Sequence, residues 1–355
     1  MISDNHTNKN NKTMDDILHR QDQKRRQMTD ALFCSRKVSD ARQGKGEERD
    51  HFIKRLTHLR LQDMGLATIR NLEKTRKLQA LYLNSNVITC MQGLQHKNLK
   101  RLIQLDLQDN DITVMEGLNC LTGLKRLSVA RNCISFITGL ENCPKLEQLD
   151  ISGQRLLHPE VTAVEFDEIS IESMSQSLVS LNASSCGLEH TEHLACLDNL
   201  TSLDVSNNNI SNIELFKSLL ASYSPRTGYQ KQLRTLVTTG NPAMEAGGPR
   251  VRDTLVMMAE CLKCLNGKDI DSKQRNFLVR FEARKKIPKK KSTKNSTSSS
   301  GNNGSLGGGS VLVDAGNRPM AFEDINAYQK VRSGNKPFRG NKITSGQQQQ
   351  QAAFR

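Results

Sequence analysis

The chain has 355 residues and carries 51 Lys and Arg against 37 Asp and Glu, a formal charge of +14, with 36% hydrophobic residues and no Trp. So small an apolar share excludes one compact body of this length and leaves a smaller folded region with solvated ends. No apolar run reaches the ~18 residues that span a bilayer. The stretch Met1–Asn10 lacks the apolar core of a secretory signal, and nine Cys without such a signal fit a reducing compartment. An intracellular, soluble, monomeric protein with no membrane partner is the expectation.

The charge is unevenly placed. Residues 1–55 hold 13 basic and 9 acidic side chains, residues 56–283 hold 24 and 25, and residues 284–355 hold 14 and 3. The basic excess therefore lies in the ends, while the middle is nearly neutral.

In chain order, residues 1–50 are polar, with one candidate short helix, Asp15–Phe33, whose Ile17, Leu18, Met28 and Leu32 make only a weak apolar face. They read as mostly without fixed structure. From 51 to 245 one pattern recurs, Leu-x-x-Leu-x-Leu-x-x-Asn-x-Ile. It is clear at Leu78–Ile88, Leu102–Ile112, Leu124–Ile134 and Leu200–Ile210, and weaker from Leu56, Leu146, Leu178 and Leu233. The first Leu of successive copies are 22, 24, 22, 22, 32, 22 and 33 residues apart, which is the leucine-rich repeat signature. In each copy the Leu-x-Leu pair alternates as a short strand with both Leu inward. The Asn amide satisfies main-chain groups that stacking would bury unpaired. One coil cannot bury its own apolar edge, so neighbours stack and share a core. Leu72, Leu94, Leu118, Leu140 and Leu194 are placed to pack beneath the convex side.

The two long steps hold Leu157–Ser177 and Ser218–Gln232, each either a tolerated surface loop or part of a binding face. Over 246–286 a helical cap is expected. Val251–Leu265 is spaced as a helix and stops at Asn266-Gly267, and a second helix, Ser272–Lys286, docks through Phe277, Leu278 and Phe281. Residues 287–355 turn basic, then Ser/Asn/Gly-rich, then end in a Gln run, and read as a disordered basic tail. The expected architecture is thus a right-handed α/β leucine-rich repeat solenoid. It has about eight repeats, parallel strands on its concave face, a helical C-terminal cap and disordered termini.

The sequence offers no catalytic constellation. Cys261-x-x-Cys264 has no second ligand pair at a suitable spacing, His190-Thr-Glu-His193 matches neither zinc-protease motif, and no phosphate loop is present. No catalytic residue, cofactor or metal is assigned, and a non-enzyme is expected. What remains is a recognition surface on the strand positions that flank the inward Leu pair. Its candidate contacts are Arg60, Tyr82, Gln104, Asp106, Arg126, Asp150, Asn182 and Asp204. One column runs Arg60, Tyr82, Asp106, Ser128, Asp150, Asn182, Asp204 and Val237. It is polar and partly acidic, which disfavours nucleic acid. It suits a protein with a basic patch, although an uncommitted solenoid face is polar as well.

The 22-residue period, the Asn241-Pro242 ending, the Val251–Gly267 segment, Gln154-Arg-Leu156 in place of an Asn turn, and Leu265–Ile270 running into Arg275–Leu278 resemble the Sds22-type leucine-rich repeat family over roughly residues 50–295. The resemblance implies a regulatory subunit that binds the type 1 protein phosphatase catalytic subunit. It also implies association with microtubules, in the cytoplasm at the cytoskeleton, the centrosome or the ciliary base. Two alternatives stand beside it: a structural axonemal or centrosomal protein without phosphatase contact, and a ribonucleoprotein scaffold. The basic cluster Lys285, Lys286, Lys289, Lys290 and Lys291 has three readings: contact with an acidic surface such as the tails of tubulin, a nuclear-localisation signal, or solubilising charge.

Overall fold

The computed structural model describes residues 28–223, 232–246, 248 and 250–285. The chain divides into two units, residues 1–289 and 290–355, and every described residue belongs to the first. The disorder expected of residues 1–27 and of the tail from 287 lies outside the described residues.

Each repeat supplies one three-residue strand: β1 (His58–Arg60), β2 (Ala80–Tyr82), β3 (Gln104–Asp106) and β4 (Arg126–Ser128). There follow β5 (Phe136–Ile137), β6 (Gln148–Asp150), β7 (Glu165–Phe166), β8 (Ser180–Asn182), β9 (Ser202–Asp204) and β10 (Thr235–Val237). The last two are β11 (Cys264–Leu265) and β12 (Lys268–Asp269). All but β5 and β7 form one sheet in chain order, parallel until the final pair. The central residues Leu59, Leu81, Leu105, Leu127, Leu149, Leu181, Leu203, Leu236 and Leu265 stand in register across it, and every one is buried. Parallel strands need a crossover between them. Here the remainder of each coil provides it, with Leu72, Leu94, Leu118, Leu140 and Leu194 buried in the shared core.

The asparagine position does what the sequence pattern requires. Asn132 accepts from the Ile112 amide at 3.1 Å and donates to the carbonyls of Leu107 and Val129, both at 2.9 Å. Asn86, Asn110, Asn208 and Asn241 bond in the same way, and so does Gln154. Cys186 offers only a thiol there, 3.2 Å from the Ile151 carbonyl. The residue just before this position always has positive φ, from Asp63 to Gly240. Only two of these eight are Gly, so the chain accepts left-handed strain at Asp63, Ser85, Asp109, Arg131, Ser185 and Asn207 to make the turn.

Order begins earlier than the composition implies. Residues 28–50, expected to lack fixed structure, close the first coil with α1 (Asp30–Phe33) and lead into α2 (Arg49–Arg55). Met28, Phe33, Val38, Phe52 and Ile53 are all buried. Ser39 forms an antiparallel bridge with Leu59, and the Arg60 amide donates to the Val38 carbonyl at 2.6 Å. Lys74 ties the cap down through Asp30 at 2.9 Å and Asp50 at 2.7 Å. A handful of apolar side chains suffices because they cover an existing apolar edge rather than build a core of their own.

The first insertion contributes β7, which pairs in parallel with β5, and α3 (Glu168–Met174), capped by Asp167. Helix α4 (Ile213–Ser222) runs into the second and buries Phe216, Leu219 and Leu220; just after it the Tyr223 hydroxyl donates to the Leu194 carbonyl at 2.8 Å. After α5 (Pro242–Ala246) comes α6 (Arg250–Met258), which buries Val251, Leu255 and Val256.

Two expectations about the cap are corrected. The helix does not run to Leu265. It ends at Met258, and the chain returns to the sheet as β11, paired in parallel with β10. Asn266 and Gly267 have φ of 53° and 72° and form a two-residue hairpin turn into antiparallel β12, not a helix stop. The last helix, α7 (Ser272–Lys285), does not dock through its phenylalanines, since Phe277 is 65% exposed and Phe281 48%. Leu278 packs against the core, and Arg275 donates to the carbonyls of Val256 (3.0 Å), Glu260 (2.7 Å) and Leu262 (2.5 Å).

Candidate interaction surface

Strand pairing sets the column read from the sequence into one line. Arg60, Tyr82, Asp106, Ser128, Asp150, Asn182, Asp204 and Val237 are successive partners across the sheet. Gln104 and Arg126 belong to the adjacent column, where the Arg126 guanidinium donates to the Gln104 side chain at 3.2 Å. Arg60 and Arg126 are exposed, while Tyr82, Gln104, Asp106, Asp150, Asn182 and Asp204 are half-buried. All eight candidates therefore share one face, on elements held rigidly by the stacked core.

The acidic members have a local role that the sequence reading missed. Asp106 accepts from the Gln108 amide at 3.2 Å, Asp150 from Ser152 at 3.0 Å, Asn182 from Ser184 at 3.2 Å, and Asp204 from Ser206 at 2.9 Å. The Ser152 and Ser206 hydroxyls add bonds to the same carboxylate oxygens at 2.7 and 2.6 Å. Each side chain thus braces the turn that ends its own strand, a bond that Asp and Asn supply equally. In every case the oxygen engaged is Oδ1, which in Asp106, Asp150 and Asp204 leaves the second carboxylate oxygen for another donor. The signal was present as Asp-x-Ser in two repeats. Between Asp106 and Asp150 the Ser128 hydroxyl is buried and has no hydrogen-bond partner among the described residues.

Burial pushes the Asp106 carboxyl above the usual range, against the pull of the Gln108 amide, and the Asp150 and Asp109 charges push the same way. Arg131 opposes them from the coil edge, where it forms an ion pair with Asp109, with its second nitrogen 2.6 Å from the other carboxylate oxygen. Beside it Arg155 bonds Asp111 at 2.9 Å and the Asn110 carbonyl. These four charged groups line a shallow groove of about 360 Å³ that sequence reasoning did not anticipate. Its only trace in the sequence was the Asp109-Asn110-Asp111 triplet, with Arg131 and Arg155 one and two repeats further on.

Of the tail cluster only Lys285 is described. It lies 2.7 Å from Glu282 and 4.3 Å over the Phe281 ring. Lys286, Lys289, Lys290 and Lys291 lie outside the described residues. Among the described residues no group of three or more His, Cys, Asp or Glu is placed to hold a metal ion. His193 packs against the Phe166 ring at 4.9 Å, and burial lowers its pKa. Cys261 and Cys264, expected within the cap helix, lie in the turn after it and on β11, and both are free thiols. No described helix is long and apolar enough to cross a membrane.

No family model matches the chain. Among solved structures it is similar to an internalin of Listeria monocytogenes, with 21% identity over 65% of this chain and 66% of that one and a TM-score of 0.46. It is also similar to a leucine-rich repeat protein of Leptospira interrogans, with 19% identity over 56% and 52% of the two chains and a TM-score of 0.40. The chain spans just under two thirds of the length of the first and about half of the second.

Proposed function

We propose that this leucine-rich repeat protein is a non-catalytic adaptor whose concave face binds a protein partner that carries a basic patch. The observation that carries the reading is the in-register line Asp106, Ser128, Asp150, Asn182 and Asp204, in which three carboxylates each keep one oxygen outside the local turn bonds. Charge spread along a rigid face steers and orients a partner more than it sets raw affinity. Arg60, Tyr82, Gln104 and Arg126 border this line and complete the contact surface.

The resemblance to the Sds22 type suggests the partner, the catalytic subunit of type 1 phosphatase, and a place at microtubules, the centrosome or the ciliary base in the cytoplasm. The experiment is affinity capture of that subunit by the full chain and by a triple variant, Asp106→Asn, Asp150→Asn and Asp204→Asn. Asparagine retains the turn bond, as Asn182 does, and removes only the charge. Recovery should fall at least about tenfold, the size of effect that follows from removing partners of buried interfacial charges. Undiminished recovery overturns the concave-face reading, and no recovery by the unaltered chain overturns the phosphatase assignment.

A further inference from the structure

Helix α7 is held to the solenoid along one side only. Arg275, Leu278 and Glu282, spaced as one helical face, are its half-buried positions, and no residue of the helix is fully buried. The opposite side carries Lys273, Asn276, Phe277, Arg280, Phe281 and Arg284, all exposed. The two phenyl rings stack at 6.0 Å between centroids, and Lys285 lies over the second. This stripe contains no acidic side chain, and the only acid in the helix, Glu282, is on the docked side. The stacked rings make one contiguous apolar patch, the kind of exposed surface that marks an interaction site when it is not isolated. Here they are ringed by three outward cations, and the sequence continues with Lys286, Lys289, Lys290 and Lys291.

We propose that the outward stripe of α7 docks on a bilayer surface that carries anionic headgroups. Charge complementarity selects an anionic partner, and the two rings select one with an apolar layer just beneath its charges. At such a surface aromatic side chains settle at the level of the headgroups while Lys or Arg meet the phosphates. Geometry selects a flat partner over a groove. A protein groove takes the apolar face of a helix, anchored at i, i+3, i+4 and i+7, whereas here Leu278 is already docked on the core and the free side interleaves the two rings with Lys273, Arg280 and Arg284. A planar surface meets the free side without displacing Leu278. A polybasic patch together with an inserted apolar group gives the two signals that stable peripheral binding needs.

The test is co-sedimentation of the full chain with vesicles of phosphatidylcholine alone or mixed with phosphatidylserine, and fluorescence binding of a poly-glutamate peptide in parallel. The chain should pellet with the mixed vesicles, should not pellet with the neutral ones, and should detach as salt is raised. Phe277→Ser with Phe281→Ser should lower the partition about tenfold, and Arg280→Gln with Arg284→Gln by about fivefold per charge. Both variants change exposed residues only, and an unaltered circular dichroism spectrum confirms their fold. Equal pelleting with neutral vesicles overturns the proposal. So does anionic binding that neither variant weakens, because the contact then lies outside α7. Poly-glutamate binding without vesicle binding also overturns it, in favour of an acidic protein.

Discussion

The carbonyl oxygen of Leu107 accepts two side-chain amides, from Asn110 and from Asn132, each at 2.9 Å. The first belongs to its own coil and the second to the next. The Leu83 carbonyl is shared in the same way by Asn86 and Asn110, that of Val129 by Asn132 and Gln154, and that of Val205 by Asn208 and Asn241. The coils are therefore joined by a buried polar line as well as by leucine packing. Asn132→Ala strands the Ile112 amide and takes one of two donors from the Leu107 and Val129 carbonyls. Leaving buried groups unpaired costs roughly 1–3 kcal/mol each, so the variant should lose about 3 kcal/mol, read from the urea midpoint.

Acid should loosen the N-terminal cap first. The Arg55 guanidinium and the Gly44 amide hold the Glu47 carboxyl down at about 2 from its ordinary 4.5, and Lys74 lowers Asp50. A depressed carboxyl contributes stability that is complete above its unfolded value and is lost as pH falls toward the folded one. Between about pH 4.5 and 2, amide exchange over residues 28–56 should therefore accelerate ahead of exchange in the central strands. Glu47→Gln should flatten that dependence.

Thiol reactivity should follow burial. Burial pushes the thiols of Cys143 and Cys186 up to about 12, so both are neutral at pH 8 and shielded as well. Cys196 is exposed. Brief alkylation of the native protein followed by peptide mass spectrometry should label Cys196 first and leave Cys143 and Cys186 unlabelled until denaturant is added.

Arg275 should anchor α7. Its three bonds go to the carbonyls of Val256, Glu260 and Leu262, at and beyond the end of α6. Arg275→Ala should raise amide exchange across 272–285 by tenfold or more, consistent with bonds from a charged donor at roughly 1.5–3 kcal/mol each. The strands from β1 to β9 should be unaffected.

The solenoid was legible because its physics repeats. Leu81, Leu105 and Leu127 each face the same environment, so a single rule written several times gives the strands, their register and the shared face. The caps follow no repeating rule. Met28, Phe33 and Val38 stand far apart in a polar stretch and have a purpose only once the edge of the first coil exists. Asn266-Gly267 serves equally as a helix stop or a hairpin turn, and the parallel pairing of Leu265 with Leu236 decides between them. In α7 apolar spacing found Leu278 but wrongly added Phe277 and Phe281, because Arg275 takes hold through main-chain carbonyls that no side-chain pattern reveals. The acidic column was found by position, but the brace between Asp106 and the Gln108 amide was not, since an Asx turn leaves the same sequence trace as an unengaged acid.

The two ends of the sheet also bear on self-association. A row of parallel strands with open flanks is a template for further copies of itself, and stacking could continue from molecule to molecule into a fibre. At one flank Val38 and Ser39 already occupy the hydrogen-bonding edge of β1. At the other, β12 reverses direction and presents exposed Lys268 and Asp269 where an incoming strand would have to pair. A chain shortened to begin at residue 43 loses the first of these barriers and should aggregate through β1, which light scattering would register.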